Sequence, residues 1–233
     1  MEDSSLGRLI GVLISPEKTF RSIAERPTWV VALVVLVLLG AAAGYLVFQK
    51  LDMAEVISQS MEDRGRRASA EEIEQATEIA ERFGWIGALV GVLVVAPLAF
   101  LVMALVFWVV FKLIGAEFSY QTSLSVTLHS LMPAAVSSLL SLPVIYSRET
   151  IDIEESQRGV LFSNLGALAP EDAGTALTAL LSSIDLFSLW TLVLLTIGYS
   201  IVGRVGKTTA GVTVVLLWAV YVVAKVGWVS LAG

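Results

Sequence analysis

The chain contains no cysteine and only one histidine, His129. These absences remove disulfides, thiolate metal sites, cysteine nucleophiles and any multi-histidine metal centre built within one chain. Charge is scarce as well: 15% of the 233 residues are charged, against about 25% in a typical soluble domain. Basic residues are outnumbered, 15 to 21, for a formal charge of −6. That balance lacks the basic footprint of a nucleic-acid-binding protein, so no nucleic-acid partner is expected. Also missing are the H-E-x-x-H, G-x-S-x-G, P-loop and Rossmann glycine patterns, and no acidic pair lies deep within an apolar run. The residues therefore offer no catalytic set, no metal ligands and no cofactor motif, and the chain reads as non-enzymatic.

Apolar sequence is what the chain has in quantity. Hydrophobic residues make up 56% and the mean hydropathy is +0.82. No charge occurs over residues 27–49, 83–111, 118–147, 186–203 or 208–224. A membrane-spanning helix needs about 20 mainly apolar residues, so the expected fold is all-α. The chain reads as a polytopic integral membrane protein of five transmembrane helices, over about 29–48, 84–111, 119–146, 186–203 and 208–230. Its transmembrane domain covers 29–233, preceded by an interfacial amphipathic segment over 1–28. The lipid bilayer is the first partner this implies.

Orientation follows from lysine and arginine in the short connections. Segment 1–28 and the connections around Lys112 and Arg204–Lys207 hold seven basic and five acidic residues. The longer segments 49–83 and 147–185 hold seven basic and sixteen acidic residues. The first group belongs inside, placing the N-terminus in the cytoplasm, the two acidic loops outside and, with five spans, the C-terminus outside. Within 1–28, Leu6, Leu9, Ile10 and Leu13 recur at helical spacing, and Ser15-Pro16 opens a second short helix. A helical hairpin on the membrane surface is expected, with Arg8, Lys18, Arg21 and Arg26 toward the headgroups; packing against the bundle is the alternative.

The outer loops carry helix-start signals. Ser69 and Glu72 form a capping box, and Pro170-Glu171-Asp172 opens a helix. Asp152, Glu154 and Glu155 lack the spacing of a calcium loop.

Two small-residue motifs stand in the outer halves of spans one and two. Gly40-x-x-x-Gly44 and Gly87-x-x-x-Gly91 let helix backbones approach closely, and the opposite directions of the two spans predict that they face each other. The competing use of either motif is homo-oligomerisation. In span three, Ser123, Thr127, Ser130, Ser137 and Ser141 fall on one face, together with Ala134. Helix packing through hydroxyl bonds is the first reading and a polar cavity the second. His129 and Pro133 lie four apart in the same span. Pro97, Pro133 and Pro143 each remove a helix hydrogen bond, so these prolines and His129 form a candidate hinge or polar path.

Three stretches resemble the Yip (Ypt-interacting protein) domain family in its bacterial branch. One is Gly11-Val-Leu-Ile-Ser-Pro-Glu-Lys-Thr-Phe20 with Ile23-Ala24 and Pro27. Another is Gly115-Ala-Glu-Phe-Ser-Tyr120 with Leu124-Ser-Val-Thr-Leu-His129 and Pro133. The third is Asp185-Leu-Phe-Ser-Leu-Trp190 with Gly198. The resemblance implies a five-span membrane protein without chemistry of its own, here in a bacterial inner membrane. Eukaryotic members of the family it resembles are implicated in vesicle traffic and in binding Rab-type GTPases, and they carry a long cytosolic N-terminal region. Only about two dozen residues precede the first span here, so Rab-type binding is not expected. The reading is a membrane scaffold or adaptor acting through helix packing, bilayer shaping or oligomerisation with a second copy or another membrane protein. The alternative is a small transporter or channel using the polar face of span three.

Overall fold

A computed structural model describes residues 4–63, 65–66, 68–152, 155–156, 159–170 and 173–232. Ser4 caps the first helix, α1 (Ser5–Ile14), by accepting the Gly7 N–H. Ser15 then turns the chain directly into α2 (Pro16–Glu25), where proline occupies the first position and costs no hydrogen bond. Gly11 permits the tight hairpin, since a Cβ there would stand 2.7 Å from the Thr19 hydroxyl.

Among the described residues, five helices are long and apolar enough to span a bilayer. The first is α3 (Val30–Lys50). The second is a 44-residue helical run over 70–113, composed of α5 (Ala70–Val90), a π-turn (Gly91–Val95) and α6 (Ala96–Leu113). The third is broken in two, α7 (Tyr120–Ser130) and α8 (Met132–Ser147). The fourth and fifth are α10 (Leu186–Gly203) and α11 (Lys207–Ala232). The hairpin stands on the N-terminal side. On the far side are α4 (Met53–Asp63), the first turns of α5, and α9 (Thr175–Ser182).

The three prolines act differently. Pro97 follows the π-turn, whose wider ring (Ala96 N–H to Gly91 carbonyl) absorbs the missing donor. Pro133 sits in the first turn of α8, just beyond a break at Leu131, so the third span stops and restarts. Pro143 lies inside α8.

The far-side segments are tied back to the spans. Ser69 and Glu72 complete their capping box, and Arg66 pairs with Glu72 at 2.7 Å. Ile151 N–H donates to the Lys50 carbonyl at 2.9 Å, joining the second far-side segment to the end of α3. Lys225 of α11 donates to the Ser183 hydroxyl at 3.1 Å, below α9. Glu154, Glu171 and Asp172, named in the carboxylate and helix-start readings, lie outside the described residues.

The core is concentrated around α2, α6, α7 and α10, where Phe20, Ile23, Phe111, Val126, Leu128, Leu194 and Tyr199 are buried. Spans α3 and α11 are mostly exposed on their outward faces. Lipid is the complement of such a surface, since bare apolar helix faces are tolerated only in hydrocarbon.

Candidate functional site: the junction of the three motif stretches

The structure brings the three family-like stretches together at one point. Phe20 of α2, Val126 of α7 and Gly198 of α10 meet. A Cβ on Gly198 would stand 2.6 Å from Val126 and 3.0 Å from the Phe20 ring, so only glycine permits this approach.

The same stretches build their own supports. Gly115 takes φ +93° after α6, a conformation that favours glycine. Ser119 caps α7 by accepting the Thr122 N–H at 3.1 Å. Trp108 Nε1 donates to the Phe118 carbonyl and the Tyr120 hydroxyl to the Leu101 carbonyl, both at 3.0 Å. These bonds fix α7 against α6. Asp185 caps α10, accepting the N–H of Phe187 at 2.7 Å and of Ser188 at 3.3 Å; the Ser188 hydroxyl donates to the same carboxylate.

Beside Gly198, the fully buried Tyr199 ring is stacked between Phe107 and Phe111, with centroids 4.8 and 4.6 Å away. Its hydroxyl lies 2.6 Å from Ser123 Oγ and 2.8 Å from Thr127 Oγ1. Ser123 donates to the Ala104 carbonyl at 2.7 Å. A hydroxyl has one proton, so the chain runs in one direction, from Thr127 to Tyr199 to Ser123 to the Ala104 carbonyl. Every proton in it is used, and three spans are linked.

The small-residue stripe therefore divides at the Leu131 break. Ser123 and Thr127 enter the Tyr199 chain. Ser130 is buried with an unpartnered Oγ. Ser137 and Ser141 are half-buried, and Ser141 bonds only its own helix at the Ser137 carbonyl. His129 is buried, and its Nδ1 lies 2.8 Å from the Ser125 carbonyl one turn back. A carbonyl can only accept, so Nδ1 carries the proton.

Two expectations are revised. The GxxxG motifs do not meet. Gly40 and Gly44 do face span two, but a Cβ on either would touch Val92, at 3.8 and 3.9 Å, while Cβ atoms on Gly87 and Gly91 would meet nothing within 4 Å. Successive helix residues differ by about 100°, so turning Val92 inward turns Gly87 and Gly91 away. Arg8 is not at the membrane surface. It is 4% exposed, and its guanidinium binds the Arg26 carbonyl (2.6 Å), the Thr28 hydroxyl (3.0 Å) and the Ser22 hydroxyl (2.8 Å). Burying the Leu9–Val12 side of α1 brings Arg8 inward, where it closes the carbonyls at the end of α2. Lys18, Arg21 and Arg26 are exposed. Leu6, Ile10 and Ile14 line the outer side of α1 instead.

Sequence reasoning passed over Tyr199 and Val92, and it placed Arg8 at the headgroups. A tyrosine directly after a glycine within an apolar span was a usable signal for the first. Nothing local distinguishes the other two.

On the far side, a cleft of about 730 Å³ is lined by Glu55, Glu62, Asp152 and Glu155 together with Val160 and Phe162. No three potential ligands are grouped to hold a metal ion among the described residues.

The fold and this junction define an all-helical integral membrane protein of five spans, with its N-terminal hairpin built into the core. Residues 10–229 match the Yip1 domain model, and the chain belongs to that family. It is similar to "Membrane protein YknW" of Bacillus subtilis (strain 168), at 28% identity over 218 residues, covering 92% of this chain and 87% of that protein. No solved structure matches it.

Proposed function

We propose that this Yip1-family membrane protein is a non-enzymatic scaffold or adaptor in a bacterial inner membrane. Its N-terminus and hairpin face the cytoplasm, and its acidic segments and C-terminus face outward. One observation carries the reading: Ser123 and Thr127, two hydroxyls of the span-three stripe that a transporter would turn toward a substrate path, are used in holding helices together. The chain from Thr127 through Tyr199 and Ser123 to the Ala104 carbonyl is closed, and the buried rings of Phe107 and Phe111 and the half-buried ring of Phe118 pack against Tyr199. What remains for a partner is surface. Gly87 and Gly91 present a bare helix face on span two, and the acidic cleft faces outward.

Site-specific photocrosslinking from position 87 or 91 in native membranes tests this. A discrete crosslinked product, a second copy or another membrane protein, is expected. Monomer only at every concentration would refute it. Liposome flux is the second arm: no flux is expected, and a flux abolished by His129→Ala would establish the transporter reading in its place.

A further inference from the structure

A second cavity, of about 590 Å³, lies between the far-side ends of α3 and α5. It is lined by Tyr45, Phe48 and Gln49 from α3 and by Glu81, Trp85 and Leu89 from α5. Each aromatic ring in it is held in place. Phe48 lies over bare backbone, since a Cβ on Gly84 would stand 2.8 Å from its ring edge. Trp85 Nε1 donates to the Arg82 carbonyl at 3.0 Å, which sets the indole plane. Gln49 Nε2 donates to the Tyr45 hydroxyl at 2.9 Å. Glu81 stands one turn before Trp85 and makes no ion pair among the described residues. The adjacent Arg82 guanidinium lies over Phe83, 5.4 Å from its centroid, and does not line the groove.

Three aromatic residues and one carboxylate, with no cation among the lining residues, match the chemistry that recognises quaternary ammonium groups. Location selects the source. Tyr45 and Trp85 stand at the far-side ends of their apolar runs, where a headgroup lies. Beyond Leu89 the exposed side chains are apolar, Val90, Leu93 and Val94, a surface suited to an alkyl chain. The geometry points to a groove for the quaternary ammonium head of an amphiphile, bound by Tyr45, Phe48, Trp85 and Glu81.

The test uses the full chain in nanodiscs of phosphatidylethanolamine and phosphatidylglycerol, with empty nanodiscs as reference. The probe is dodecyltrimethylammonium carrying 13C-labelled N-methyl groups. The rings would shift the N-methyl resonance upfield as a saturable function of protein. Trp85→Leu is expected to weaken binding about tenfold, the scale of a partly desolvated cation–π contact, and Glu81→Gln about threefold, the scale of an exposed ion pair. Tetramethylammonium should compete more weakly than the amphiphile, and dodecanol not at all. Equal affinity in the Glu81→Gln variant, whose exposed carboxylate leaves the fold untouched, would overturn the assignment. So would equal competition by dodecanol, or by tetramethylammonium, which would leave no role for the charge or for the chain.

Discussion

The Phe20 ring of α2 lies against the bare backbone of Gly198 in α10, 3.0 Å from where a Cβ would stand. This contact joins the segment before the first span to the fourth span. The hairpin is therefore part of the core and not an appendage of the membrane surface, although Leu6, Ile10 and Ile14 still leave one apolar side of α1 exposed.

Gly198→Ala should destabilise the protein by about 1–3 kcal/mol, the range for overpacking a filled core. The methyl would meet Val126 before Phe20, so adding Val126→Ala should recover part of the loss. Thermal unfolding of the two variants in detergent, read by circular dichroism, measures both effects.

Tyr199→Phe removes the hydroxyl joining Thr127 to Ser123 and keeps the stacked ring. A loss of about 1 kcal/mol is expected, since interhelical hydrogen bonds within membranes average below that and reach somewhat above it. In a double-mutant cycle with Thr127→Val, the second substitution should cost little once the first is present. Full additivity would mean the two hydroxyls do not interact.

Arg8→Ala leaves the Arg26 carbonyl at the end of α2 without its donor. A cost of about 1.5–3 kcal/mol is expected for hydrogen bonds to a charged group, confined to the hairpin. Hydrogen exchange should rise over 5–26 while α6, α7 and α10 stay protected. Arg8→Lys should rescue poorly, because one ammonium cannot reproduce the fork that reaches Ser22, Arg26 and Thr28 together.

The glycine motifs should respond oppositely to leucine. Gly40→Leu drives a branched side chain into Val92 and should destabilise the fold, whereas alanine fits at 3.8 Å. Gly87→Leu and Gly91→Leu should leave the monomer folded and disturb only contacts made with another molecule. Unfolding midpoints together with crosslinking yields separate the two behaviours.

Glu17 accepts a hydrogen bond from Lys207 at 2.6 Å, with Arg21 4.0 Å away. The lysine's hydrogen bond and its charge hold the carboxyl below the usual carboxylate range. A carboxyl lowered in the folded state stabilises fully above its unfolded value and loses that contribution as pH falls through the folded one. The link between α2 and α11 should therefore persist at neutral pH and open only on acidification below the ordinary carboxylate range. Both groups are exposed, so high salt should weaken it as well. The separation of spin labels introduced next to Glu17 and Lys207, followed against pH and salt, reads this directly.

The all-α fold and its five apolar spans were legible in the sequence. A long uncharged run has one stable solution in a bilayer, because hydrocarbon offers backbone groups no other partner than their own helix. Local chemistry was legible too: Ser15-Pro16 and the Ser69–Glu72 box act on neighbours a few residues away. The packing of Gly40 against Val92, the inward turn of Arg8, and the meeting of Phe20, Val126 and Gly198 were decided only in three dimensions. Each depends on the rotation of one helix relative to another. Apolar spans carry weak amphipathic patterns, since lipid and protein interior reward the same side chains, so that rotation is not written along the chain. It is set by which ring fits over which glycine and by where the hydroxyl of Tyr199 finds its partners.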